Sequence, residues 1–446
     1  MPYTGSINEQ ATEHRKDRLG SYRNVLAVTS ALTLLQGASA ALSVMIALSL
    51  ANAGASNAAL GLVAAFFAGG FLTGALLSPA QIARIGHIRS FSFFAAIAII
   101  ASLSFTLGVS IIGWAIVQGV IGITTSALLT AGESWIADAA PAQSRGSILS
   151  FYHVVAKLGA IGGPFIVMAA AGGGTGFMLV AVLFALTILP VTATRQIQPE
   201  ISTSKPYGPR KIFRLAPAAA MAAFCAGAVS NSVAQLYPIY AQTVAPAQPA
   251  SFSANFNAAV LAGAMVGLWP AGMISDRIDR RMVIAGTGII GALCALGLGL
   301  LAGHVPQFAI LALGFGYGVG ALSYYAVAVA HAADRADASQ ATPMMAGILI
   351  LWGVGSIAGP AVAGLVMTPL GGEGLFFFAA GALALLAALM FTRIVNTVPV
   401  DLEDKEPFNA TQATSLALSD LDPRGEDTSE QFDLFLAWMA SQETDE

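Results

Sequence analysis

The chain has 446 residues, of which 56% are hydrophobic and only 10% charged, which leaves too little polar surface to keep a soluble fold of this size dispersed. Its net charge of -4 joins two unlike parts, since residues 1–400 carry 18 basic and 11 acidic groups and residues 401–446 carry 2 and 13. The two cysteines, Cys225 and Cys294, lie in separate apolar runs, which excludes a disulfide framework and a metal quartet and leaves both as packing residues.

In chain order, residues 1–23 form a polar arm with Arg15, Lys16, Arg18 and Arg23 and without the apolar stretch of a signal peptide. Twelve apolar runs follow, at about 24–50, 57–79, 90–108, 111–135, 147–170, 175–194, 213–241, 253–275, 282–302, 306–331, 343–367 and 373–392. Each is long enough to cross about 30 Å of hydrocarbon as a helix, so the chain reads as an all-α integral membrane protein. Of the 20 Lys and Arg residues, 19 fall in the arm, the tail and alternate loops, and none in the intervening loops. The positive-inside rule makes the cationic loops cytoplasmic, and an even number of runs puts both termini on that side of a bacterial inner membrane.

Residues 195–212 form the longest polar break and separate six runs (24–194) from six (213–393). Arg84-Ile85-Gly86-His87 and Arg277-Ile278-Asp279-Arg280 stand 193 positions apart, and Gly163-Pro164 and Gly359-Pro360 stand 196 apart. Nearly equal offsets predict a duplicated six-helix unit, hence two pseudosymmetric bundles with a site at their interface.

The string from Gly272 through Asp276-Arg277-Ile278-Asp279-Arg280-Arg281 resembles the loop signature of the major facilitator superfamily (MFS), with Asp279 in place of the usual glycine. Gly355 to Gly364 around Gly359-Pro360 resembles its glycine-proline motif. Glu133-Ser134-Trp135, Arg145-Gly146, Tyr152 and the stretch from Tyr325 through His331 to Arg335 are similar to the YcaD-like group of uncharacterised facilitators. The likeness covers residues 24–394 and implies a secondary transporter in the inner membrane, but no substrate. Ala115, three positions before Gln118-Gly119, stands where many proton-driven drug exporters of the superfamily carry arginine.

Lys157 is the one basic residue deep within a run, roughly 16 Å along helix five, where a charge marks a cavity, a partner or a substrate. It is read here, with His153 one turn earlier, as a cavity residue for an anion or a polar oxygen, in preference to a lysine tied to backbone carbonyls. Polar stripes at helical spacing comprise Thr29, Thr33, Gln36 and Ser43, then Gln118 and Thr125, then Asn231 and Gln235. The family likeness implies that these, with Tyr317 and Tyr324, border a central cavity; singly, each serves equally as an interhelical hydrogen bond. Trp269, Trp352, Phe376 and Phe377 either line a lipophilic pocket or face lipid, with lipid contact the first expectation.

Glu133 is expected to pair with Arg145, or else to carry a coupling proton, for which His153 and His331 are the further candidates. Asp276, Arg277 and Arg280 are expected to gate, with Asp276 latching onto the free N–H groups and Arg145 at the start of helix five when the cytoplasmic side closes. Gly314 to Gly320 lies inside an apolar run and no Gly-Lys-Ser/Thr phosphate loop exists, so no ATP-driven pump, no cofactor and no enzyme are expected. The acidic tail 394–446 is expected to be disordered to about residue 427, with a short helix at 429–441 that docks a cytoplasmic protein or the basic loops, or touches nothing. No nucleic-acid partner is expected.

The expected function is gradient-driven transport, by alternating access, of a small polar or weakly anionic solute or an amphiphile. A non-transporting membrane sensor or scaffold that signals through the tail is the alternative.

Overall fold

A computed structural model describes residues 4–108, 110–139, 145–169, 174–193, 207–335, 341–397, 405 and 408, leaving aside the side chains of 4–24, 137–139, 145–147, 150, 167, 169, 341 and 342. The tail helix expected at 429–441, most of the linker 195–212 and the side chain of Arg145 lie outside this description. Among the described residues there are helices and no strand. They are α1 (Thr4–Asn52), α2 (Asn57–Ile85), α3 (His87–Ser104), α4 (Ile111–Ala139), α5 (Arg145–Ala169) and α6 (Gly174–Thr192), then α7 (Pro209–Leu215), α8 (Pro217–Val244), α9 (Pro249–Ser275), α10 (Arg280–Leu301), α11 (Gln307–Ala321), α12 (Tyr324–Ala333), α13 (Ala341–Leu370) and α14 (Gly374–Asn396).

Ten stretches of the described residues are long and apolar enough to cross a membrane; the last, Pro343–Asn396, holds both α13 and α14, and α5 adds a shorter apolar stretch, Phe151–Ile166. The twelve apolar runs of the sequence fall on these helices in order. Two runs expected to be single helices are broken. Pro217 has no N–H and bars its predecessor from the helical region, so Ala216 takes φ −137° and α7 ends before α8. The tenth run stops at Ala321 and restarts at Tyr324.

The packing repeats itself. In the first half α1 lies on α5 and α6, α2 on α4, and α3 on α4 and α6; in the second, α8 lies on α13 and α14, α9 on α11, and α10 on α11 and α14. The contacts between halves obey the same exchange, α2 with α13, α9 with α5, and α1 with α8. Glycines set the closest approaches, as where Gly70 of α2 faces the backbone of Gly119 in α4 and Gly163 of α5 faces Gly37 in α1.

The hydrogen bonds that join α1, α2 and α5 to α8, α9 and α13 all lie toward the ends away from the cationic loops. Ser43 Oγ donates to the carbonyl of Ala234 at 2.9 Å, Asn57 Nδ2 to that of Met367 at 2.9 Å, and Asn257 Nδ2 to that of Ala160 at 3.0 Å. The halves are closed at that end and enclose a cavity between them.

Candidate functional site

The cavity has a volume of about 460 Å³ and is lined by α1, α2, α4 and α5 on one side and α8, α9, α12 and α13 on the other. Among the described residues Lys157 is its one charged residue, and neither Asp nor Glu lines it. Lys157 makes no hydrogen bond or ion pair with the described residues, and His153 stands beside it against the ring of Tyr152, centroids 4.7 Å apart. The hydroxyls of Ser39, Thr125 and Ser356 also line the cavity, are buried, and have no hydrogen-bond partner among the described residues. A buried polar group without a partner costs about 1–3 kcal/mol, a cost that water or a ligand in the cavity offsets.

Of the sequence-predicted cavity residues, Gln36, Thr125, His153, Lys157 and Asn231 line it. Asn231 is already engaged, since its amide donates to the carbonyl of Ser356 at 2.9 Å. Thr33 is placed elsewhere, packed on Gly159 at the α1–α5 contact with its hydroxyl donating to Thr29 at 2.7 Å. Gln118 and Gln235 sit in a separate small crevice with Ser43, whose Oγ stands 3.1 Å from Gln235 Oε1, in the closed contact between the halves.

Tyr317 and Tyr324 are also displaced from the predicted wall. Both are fully buried inside the second half, Tyr317 with its ring 5.7 Å from Phe376. The break after Ala321 puts them on different helices, α11 and α12, and both meet the second half's own core; Tyr325 lines the cavity instead. Trp352, expected in lipid, lines the cavity with its edge toward Phe71 at 6.1 Å, and Phe376, also expected there, is buried. Phe67 and Phe71, four residues apart on α2, complete an aromatic wall that polarity-based reading passes over.

Glu133 is fully buried and accepts a hydrogen bond of 2.6 Å from Tyr152. His331 is buried near the cationic end of the second half, 2.8 Å from an Arg335 guanidinium nitrogen, and does not line the cavity. The loop between α9 and α10 anchors a charge network. Arg280, buried, donates to both carboxylate oxygens of Asp334 at 2.6 and 3.1 Å and to Ser275 at 3.1 Å. Arg281, equally buried, is held by Asp279 at 2.6 Å and donates to the carbonyl of Arg393 at 2.9 Å and to the hydroxyl of Thr397.

Asp279 caps α10 by accepting from the N–H of Arg281, at φ −54°, a conformation that needs no glycine. Burial alone raises its carboxyl, but the Arg281 hydrogen bonds outweigh this and hold it below the ordinary range. Its first-half counterpart, Gly86, sits at φ +84°, where a side chain is strained. Asp276 lies 3.4 Å from Arg280 and accepts from the backbone N–H of Phe408 at 3.1 Å, while Arg277 is exposed. Lys405 Nζ donates to the carbonyl of Ile278 at 2.7 Å and Phe408 packs on Gly272, so the start of the tail rests on this loop.

The sequence profile of the Major Facilitator Superfamily matches residues 28–269 and 247–425. Relatives described as the uncharacterised MFS-type transporter YcaD, from Salmonella heidelberg and Salmonella typhi, are 26% identical over 389 residues, 84% of this chain and 97% of theirs. Among solved structures, the nucleoside transporter NupG matches with a TM-score of 0.69 at 14% identity over 84% of this chain and 100% of its own. A D-xylose-proton symporter matches at 0.67 and 16% over 86% and 99%. At such identities these structures establish the fold and nothing of the cargo. The chain belongs to the major facilitator superfamily and is a multi-pass, YcaD-like membrane transporter.

Proposed function

We propose that the protein is a gradient-driven secondary transporter that binds a small organic anion at Lys157 between its two halves. The observation that carries this reading is a cavity whose one charged residue among the described residues is a lysine without a partner among them, and whose lining also holds the unpartnered hydroxyls of Ser39, Thr125 and Ser356. An ammonium inside a membrane protein costs at least about 2.5 kcal/mol to place, and a bound carboxylate offsets that cost. With the cationic loops cytoplasmic and the opposite end closed, the conformation is inward-facing, and both termini lie in the cytoplasm of a bacterial cell.

Alternating access then follows from the packing. Opening the far end means parting Ser43 from Ala234, Asn57 from Met367 and Asn257 from Ala160, and closing the cytoplasmic end brings the α9–α10 loop toward the start of α5, where Asp276 latches. His153, beside Lys157, is the coupling-proton candidate that lines the cavity, while Glu133 and His331 sit apart from it. Proteoliposomes with an imposed pH gradient test this through uptake of radiolabelled benzoate and octanoate. Uptake that Lys157→Met removes supports the reading; uptake of a cationic solute instead overturns it.

One observation favours the sensor alternative, the contact of Lys405 and Phe408 with the α9–α10 loop, which ties the acidic tail to the gate. Full uptake after removal of residues 401–446, at normal abundance, dismisses that reading.

A further inference from the structure

The two seams between the halves exchange under the internal twofold, yet they are built differently. Along α2–α13 the contact runs from Asn57, bonded to Met367, through Gly61, set against Pro360 and Gly364, to Leu72, against Gly353, and it includes the edge contact of Phe71 with Trp352. On α5–α9 the described hydrogen bond joins Asn257 to Ala160, toward the closed end. From there toward the cationic end both helices show apolar side chains outward: Phe151, Val154 and Leu158 of α5 are about half exposed, and Trp269 of α9 is 76% exposed.

Val154 and Trp269 also line the cavity. A side chain that is well exposed and still lines a cavity stands at its edge. At 100° per residue, Val154 lies 60° from Lys157 around α5, and Leu158 lies 100° away on the same side, so the edge leads from the lysine toward the lipid-facing side of the helix. Lys157 itself is three residues, about 4.5 Å along the axis, from the Ala160 contact, at the base of this opening.

Building on the anion-binding reading above, we propose that the substrate is an amphiphilic anion that exchanges with the membrane leaflet through the α5–α9 seam. Its acidic head meets Lys157 and the free hydroxyls of Ser39 and Thr125; its apolar body lies along Met265, Leu268 and Trp269 and leaves beside Val154. The chemistry of the walls fits this division. In the second half Ser230 and Asn231 are spent on their own backbone, donating to Ala226 and Ser356; the Ser356 hydroxyl is without a partner among the described residues, and Ala264, Met265, Leu268 and Trp269 of α9 give the hydrocarbon surface. At the α2–α13 seam the cavity-lining Phe67, Phe71 and Trp352 are each less exposed than Val154 and Trp269. A wholly polar anion gains nothing from the aromatic wall, and a cation is repelled by Lys157.

The test uses the full chain in nanodiscs of zwitterionic lipid, titrated with ω-bromoundecanoate and with a bromoalkyl trimethylammonium of equal length, while tryptophan fluorescence is followed. The carboxylate is expected to quench saturably, with the amplitude reduced in Trp269→Phe and the affinity lowered about tenfold or more in Lys157→Met, the effect of losing a charge-assisted hydrogen bond. Val154→Phe, which narrows the seam without adding a fluorophore, is expected to weaken the bromoundecanoate response more than it weakens a thermal shift by propionate. Equal quenching by the trimethylammonium compound, or quenching indifferent to Lys157 and Trp269, overturns the proposal, since simple partitioning into lipid then explains it. If propionate stabilises the parent and not Lys157→Met while bromoundecanoate never reaches Trp269, the lateral route falls and the anion cavity stands. If neither acid responds to Lys157, both fall.

Discussion

The two halves repeat one plan of helix packing, yet they spend their charges differently. The first half sends Lys157 and His153 into the cavity and leaves the hydroxyls of Ser39 and Thr125 there without partners among the described residues. In the second half the charges gather at the cationic end, where Arg280 is locked to Asp334 and Arg281 to Asp279, and its wall facing the cavity is mostly apolar. Charges bound within one half serve that half's stability; a charge without a partner in its own half serves whatever enters. Duplication supplies the frame, and divergence assigns one copy to recognition and the other to holding the gate loop.

The sharpest way to break that comparison is to remove one charge from each half. Asp334→Ala leaves Arg280 buried without its principal partner, and thermal melting is expected to show a loss of about 3–5 kcal/mol, the usual cost of breaking a buried pair. Lys157→Met is expected to leave the melting temperature unchanged or raised, because it removes a charge that no described residue compensates, while anion affinity falls about tenfold or more. If Lys157→Met destabilises as Asp334→Ala does, the lysine is structural and the contrast between the halves collapses.

A second substitution addresses the closed end. A Cβ on Gly61 meets the backbone of Pro360 and comes within 3.0 Å of the Gly364 Cα, across the seam between the halves and away from either bundle's own core. Gly61→Val is therefore expected to preserve the fold and shift the population toward the state open at that end, which raises maleimide labelling of a cysteine placed at Gln242 several-fold. Unchanged labelling means that the seam yields without opening.

The smallest effect concerns acid. Asp279 is held below the ordinary carboxylate range by Arg281, so its contribution to stability is present in full above the unfolded-state value of 3.8 and is lost as pH falls through the lower folded-state value. Melting temperatures are expected to be flat for this group from pH 8 to 5, and below about pH 4 the parent is expected to lose more than Asp279→Asn does.

Much of this was legible in the chain. Run lengths, the alternation of cationic loops and the two near-equal repeat offsets gave the helical bundles, because hydrocarbon forces every backbone group into internal hydrogen bonds and leaves little structural choice. Lys157 stood out because a lone cation in an apolar run has few explanations. Less legible was which neighbour a stripe meets. Tyr317 and Tyr324 fall on either side of the break between α11 and α12, and periodicity, which measures angle around one continuous helix, says nothing of whether a face looks at a cavity or at Phe376. Phe71 goes unmarked in the sequence, and Trp352 reads as lipid-facing ahead of pocket-lining, for a related reason, since an aromatic side chain suits lipid, core and ligand wall alike. The exchange of glycine for Asp279 became intelligible only with the backbone angle, −54° there against +84° at Gly86.

The account stands or falls on Lys157, and the most direct measurement is the thermal shift of the purified full chain with dodecanoate, dodecanol and dodecyltrimethylammonium, run beside Lys157→Met. The account predicts that dodecanoate stabilises the parent well above the other two and that the variant loses that excess. Equal stabilisation by all three compounds, or an excess that survives Lys157→Met, contradicts it.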